Sequence, residues 1–126
     1  MAMTAKILLI VVGVVLEDNV KAYRYTEAVR ERVINDSVGS HPVVVLGDPE
    51  TRDVHIYLRD TGRQVLNFAL RDGKLVDNET GTAWDTARDL GQEGPLKGTL
   101  LKEIPYSSAF DWAWLDFYPK SRIYGT

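Results

Sequence analysis

The chain has 126 residues, 44% hydrophobic and 26% charged, values that suit one globular domain over residues 1–126 and exclude intrinsic disorder. Its net charge is −3, and the basic clusters Arg30-Glu31-Arg32 and Lys120-Ser121-Arg122 are short and interrupted, so no nucleic-acid partner is expected. There is no cysteine, which excludes disulfides, thiol catalysis and thiolate metal sites.

The first element is the apolar run Ile7 to Leu16. It is far shorter than the roughly 20 residues that span a bilayer. Glu17-Asp18-Asn19 follows at once, with no small-residue cleavage site, so the run reads as a buried strand rather than a signal peptide. A soluble, cytoplasmic protein without a transmembrane segment is the expectation. Val20 to Tyr23 reads as the hairpin partner of that strand. Thr26 then precedes good helix formers, which predicts a short helix over 26–32 capped by that threonine.

Asn35-Asp36-Ser37-Val38-Gly39-Ser40 is rich in turn residues, whose side chains commonly bond their own backbone. Pro42-Val43-Val44-Val45-Leu46 is the clearest strand, ended by Gly47-Asp48-Pro49-Glu50. Asp53 to Arg59 alternates, with Val54, Ile56 and Leu58 on one face and His55 and Tyr57 on the other. Strands are expected over Val65 to Leu70 and, as shorter pieces, at Ala83-Trp84 and Leu96 to Leu101. A last helix is predicted near 107–117, capped by Ser107 or Ser108. The dense turns and absence of βαβ alternation give an α+β fold dominated by antiparallel sheet, a meander with two short helices.

Several segments together are similar to a known family. Val33-Ile34-Asn35-Asp36-Ser37-Val38-Gly39-Ser40-His41-Pro42-Val43-Val44-Val45 resembles a "VND-x-x-G-x-x-PVVV" signature. Val20-Lys21-Ala22-Tyr23 resembles an "-A-Y-P-" strand, with Arg24 in place of the proline. Asp77-x-x-Thr80-x-x-x-Trp84 resembles "D-R-x-T-x-S-x-W", and the stretch from Gly94 to Pro105 resembles "GPL-x-G-x-x-L-x-x-L-P". Trp112-x-Trp114-x-x-x-Tyr118-Pro119 resembles "W-x-x-W-x-x-x-H-P". In this order they resemble the prokaryotic family called domain of unknown function 3179, over about 14–124. The resemblance implies no activity. It marks a departure: typical members follow the PVVV strand with a cysteine-containing loop, where this chain has Leu46 to Asp53.

Three groups of residues are candidate sites. Asp48, Glu50, Asp53 and His55 carry metal-ligating chemistry, but no recognised metal spacing is present and no metal or cofactor is expected. Asn35, Asp36 and His41 offer weak catalytic candidates beside Ser37, without a nucleophile elbow. Among the aromatics, Phe110, Trp114 and Phe117 share one helical stripe and are expected in the core, while Trp112 points elsewhere. Trp84 and Trp112 are the ligand-facing candidates. The sequence favours a binding module for a small molecule or protein partner. A hydrolytic or metal-assisted enzyme with a site near 35–55, and an assembly subunit forming a homo-oligomer, remain alternatives.

Overall fold

The computed structural model describes residues 9–85 and 90–125. Three sheets carry the fold. The first contains β1 (Ile10–Leu16), β2 (Asn19–Arg24), β10 (Ser107–Phe110) and β11 (Arg122–Ile123), in the order β10-β1-β2-β11. The middle sheet is an antiparallel meander of β3 (Val33–Val38), β4 (His41–Gly47) and β5 (Val54–Leu58). The third is a meander of β6 (Phe68–Arg71), β7 (Lys74–Asp77), β8 (Ala83–Asp85) and β9 (Leu90–Glu93). Helix α1 (Tyr25–Glu31) joins the first sheet to the middle one, and α2 (Asp111–Phe117) follows β10.

The valine run in β4 follows from the position of its sheet. Successive strand residues face opposite ways, so a sheet covered on one side would alternate apolar and polar. Val43 and Val45 instead join Val12, Val14, Tyr23, Ala28, Ile34 and Ile56 in one core. Val44 and Leu46 join Tyr57, Leu66, Phe68, Leu75 and Trp84 in a second. The middle sheet is thus covered on both faces. Tyr57, on the face of β5 that carries His55, is accordingly fully buried. A third cluster, Val11, Ala22 and Trp114, lies where α2 covers the outer side of the first sheet.

Tertiary pairing overrides local chemistry in several places. Asn35, Asp36 and Ser37 belong to β3 rather than to a turn, because they pair in register with Val44, Val43 and Pro42. Thr26 lies inside α1, whose N-cap position is Arg24, with no side-chain cap bond. Ser107 and Ser108 do not cap a helix; they pair with Gly13 and Val12 of β1, and α2 starts only at Asp111. The expected strand from Val65 starts at Phe68, since Arg59 and Leu66 are engaged in their own backbone bond first. Pro95 to Gly98 forms a turn instead of an extended piece. Phe110 and Phe117 are not core: they are 42% and 78% exposed, and only Trp114 of the stripe is buried. Phe110 is extended at the end of β10, before α2 begins, so it does not belong to a helical stripe.

Trp114 is seated against Gly13 of β1. A Cβ built on Gly13 would stand 2.2 Å from the indole. Gly13→Ala is therefore expected to destabilise the fold by about 1–3 kcal/mol through overpacking. Urea unfolding followed by tryptophan fluorescence measures it; an unchanged midpoint would contradict this packing.

Candidate functional site

Asn35 and Asp36 sit on opposite faces of β3, and each ties the middle sheet to a different neighbour. The Asn35 amide nitrogen donates to the Phe68 carbonyl at 2.8 Å, while the Phe68 N–H donates to the Asn35 side-chain oxygen at 2.9 Å. That two-way clasp holds β3 to the third sheet. Asp36 faces the first sheet, where the Tyr23 hydroxyl donates to it and Lys21 Nζ pairs with it, both at 2.7 Å. Burial pushes the Asp36 carboxyl up, but the bonds from Lys21 and Tyr23 outweigh it and hold it below its ordinary value. Burial, and then the Asp36 carboxylate, raise the Tyr23 phenol strongly.

Arg59 completes this framework. Its Nε donates to the Val43 carbonyl and its Nη2 to the Asp36 carbonyl, both at 2.7 Å. Its Nη1 donates to Leu66 O and Asn67 Oδ1 at 3.1 Å. Asn67 in turn donates from its backbone and side chain to Glu79. Desolvation lowers the Arg59 pKa, yet the guanidinium is well supplied with acceptors. His41 faces elsewhere, with Nε2 3.5 Å from Glu17. Asn35, Asp36 and His41 thus serve separate partners and do not form one constellation.

The third sheet has its own buried joint. The Asp77 carboxylate accepts from the Thr80 N–H, the Thr80 hydroxyl and Trp84 Nε1. The Thr82 hydroxyl, 2.6 Å from that of Thr80, accepts from the Leu96 N–H. The Asp-Thr-Trp spacing seen in the sequence is therefore a structural device.

A recess of about 690 Å³ opens between the end of the middle sheet and the third sheet. Gly47 makes it possible for α1 to close over the end of β4, since a Cβ there would lie 2.3 Å from the Ala28 carbonyl. Its apolar wall includes Val33, Leu46, Leu75 and Trp84. Its polar lining includes Asp48, Asp53 and His55 from the β4–β5 side, Arg32 after α1, Lys74 from β7, and Asp85, Gln92 and Glu93 from β8 and β9. Asp48 is partly engaged: the Glu50 N–H donates to its Oδ1 at 2.8 Å, and that bond first of all holds its carboxyl below the ordinary value. His55 Nδ1 lies 3.1 Å from Glu103 Oε1, and its ring stacks on Tyr57 with centroids 6.1 Å apart. A carboxylate accepts, so His55 Nδ1 is the donor in this contact.

Of the four metal candidates, Asp48, Asp53 and His55 line the recess, whereas Glu50 does not. Among the described residues, no three His, Asp or Glu side chains converge as a metal would require. Trp84 lines the recess edge-on to Phe68, with its polar nitrogen committed to Asp77. Trp112 is half exposed on α2, stacked with Phe110, and does not line it. Nothing in the sequence marks Arg32, Lys74, Gln92 or Glu93 as site residues. They come from separate segments, and only the closing of two sheets brings them together.

A family model described as "Protein of unknown function (DUF3179)" matches residues 4–121. No curated protein and no solved structure matches the chain. Among the described residues, no helix is long and apolar enough to cross a membrane.

Asp36→Asn is expected to cost about 1–3 kcal/mol at neutral pH by weakening the Lys21 and Tyr23 contacts. Because the folded carboxyl is held low, this contribution is full above the ordinary carboxylate value of 3.8 and is lost as pH falls through the folded one. Denaturation of both proteins across that acid range should show the gap closing; a gap independent of pH would contradict it.

Proposed function

The chain belongs to this family, and we propose that it is a binding domain for a small molecule carrying an amine, with the recess between the middle and third sheets as its site. The observation that carries this reading is one recess of about 690 Å³ combining an apolar wall with a charged lining. Ligand pockets commonly have this size and makeup. Among the described residues, four carboxylates, Asp48, Asp53, Asp85 and Glu93, line it against the cations Arg32 and Lys74. That excess favours a positively charged head group, and the exposed Leu70 offers surface to an apolar body.

A second reading, an enzyme, is favoured by the pairing of His55 with Glu103. A carboxylate that fixes the tautomer leaves Nε2 to take a proton from a bound molecule. In this reading Glu103 is a positioning residue and His55 the proton acceptor.

Titration of the ¹⁵N-labelled chain with agmatine, spermidine and free arginine tests the binding reading. At least one amine should give saturable shifts at the amides of 46–55, 74–75 and 91–93. Asp53→Asn combined with Glu93→Gln should weaken it about tenfold or more. If none of the three amines saturates, or if the double variant binds equally well, the amine site is wrong.

A further inference from the structure

We infer a second binding site, independent of the first, which takes a small oxyanion at the β11 edge of the first sheet. Lys21 and Arg24 of β2 and Arg122 of β11 line a depression of about 690 Å³, together with Leu115, Ser121 and Tyr124. No carboxylate lines it among the described residues. In a chain whose net charge is −3, three cations with no acid in the wall stand apart from the composition.

The placement follows from pairing. Strand β11 runs parallel to β2 and sets Arg122 against Lys21 and Ile123 against Ala22. The Tyr124 N–H donates to the Ala22 carbonyl at 2.9 Å, which holds Tyr124 against β2. The Trp114 indole donates to the Ser121 hydroxyl at 2.7 Å, tying this corner to α2.

Three nearby acids already have partners. Asp36 pairs with Lys21 and accepts from Tyr23. Glu27 pairs with Arg30, although it also feels the charge of Arg24. Glu31 accepts from the Tyr124 hydroxyl at 3.1 Å. Lys21 is therefore neutralised within the fold, and the surplus charge rests on Arg24 and Arg122. Arg24 Nε is buried and has no hydrogen-bond acceptor. Such a donor has lost its water without gaining a partner, and a small outward shift of the Arg24 side chain toward an oxyanion in the depression would relieve that cost.

Guanidinium groups bind phosphate and carboxylate through paired N–H donors, and two arginines line this one depression. The expected ligand is a small phosphorylated or carboxylated molecule. The shared chemistry is an oxyanion held by Arg24 and Arg122, with the Leu115 side chain against its body.

The test is titration of the whole ¹⁵N-labelled chain with inorganic phosphate, and separately with malonate, at constant ionic strength set by chloride. Saturable shifts at the amides of 21–24 and 121–125 are expected for at least one of them. Saturation by phosphate alone would assign the site to phosphoryl ligands, and by malonate alone to carboxylates. Arg24→Gln should weaken binding about tenfold or more, and Arg24→Gln with Arg122→Gln should abolish it. Arg63→Gln, which removes an equal charge from an exposed loop, should leave it unchanged. Where Arg24→Gln loses its dispersed spectrum, Arg122→Gln alone carries the comparison. Shifts that never saturate, that scatter over the surface, or that persist in the double variant would overturn the site.

Discussion

Strand β4 is buried on both faces, and the remaining architecture is arranged to make that possible. Val43, Val44 and Val45 have no exposure at all, and Leu46 has little. Each such side chain contributes about 1.5–3 kcal/mol when taken from water. One cover alone would leave half of that run in solvent. The first sheet with α1 covers one side, and the third sheet covers the other.

Apolar burial is not directional, so polar joints fix how the covers sit. Asn35 clasps the backbone of β6, and the next residue, Asp36, engages β2. Arg59 gathers carbonyls from Val43, Asp36 and Leu66. Asp77 organises the turn that leads to Trp84. These residues supply much of what resembles the family in sequence, and their chemistry is spent on the frame. Apart from Trp84, the recess is lined by side chains outside those joints, including Asp48 and Asp53 from the loop after β4.

The valine run, the hairpins and the two short helices were legible because each has a local cause: β-branched residues, turn residues or good helix formers. Asn35 and Asp36 misled because their turn chemistry is satisfied across sheets, at separations of 33 and 13 residues. Phe117 misled because helical spacing says which residues share a stripe, not whether anything covers it. Asp48, Asp53, His55 and Trp84 were legible as candidates by residue type. Their meeting with Lys74 and Glu93 was not, since no spacing along the chain encodes the closure of two sheets. The cations at Arg24 and Arg122 were equally hidden: each is ordinary in sequence, and the parallel pairing of β11 with β2 joins them.

The most direct test of the middle sheet as the frame is native-state hydrogen exchange. The account predicts that the β4 amides of Val44 and Leu46 exchange only through global unfolding, with opening free energies equal to that from urea denaturation. The edge strands β10 and β11 should open more easily. If the β4 amides exchanged through a smaller local opening while β1 or β7 stayed protected, the frame would lie in another sheet and the account would be contradicted.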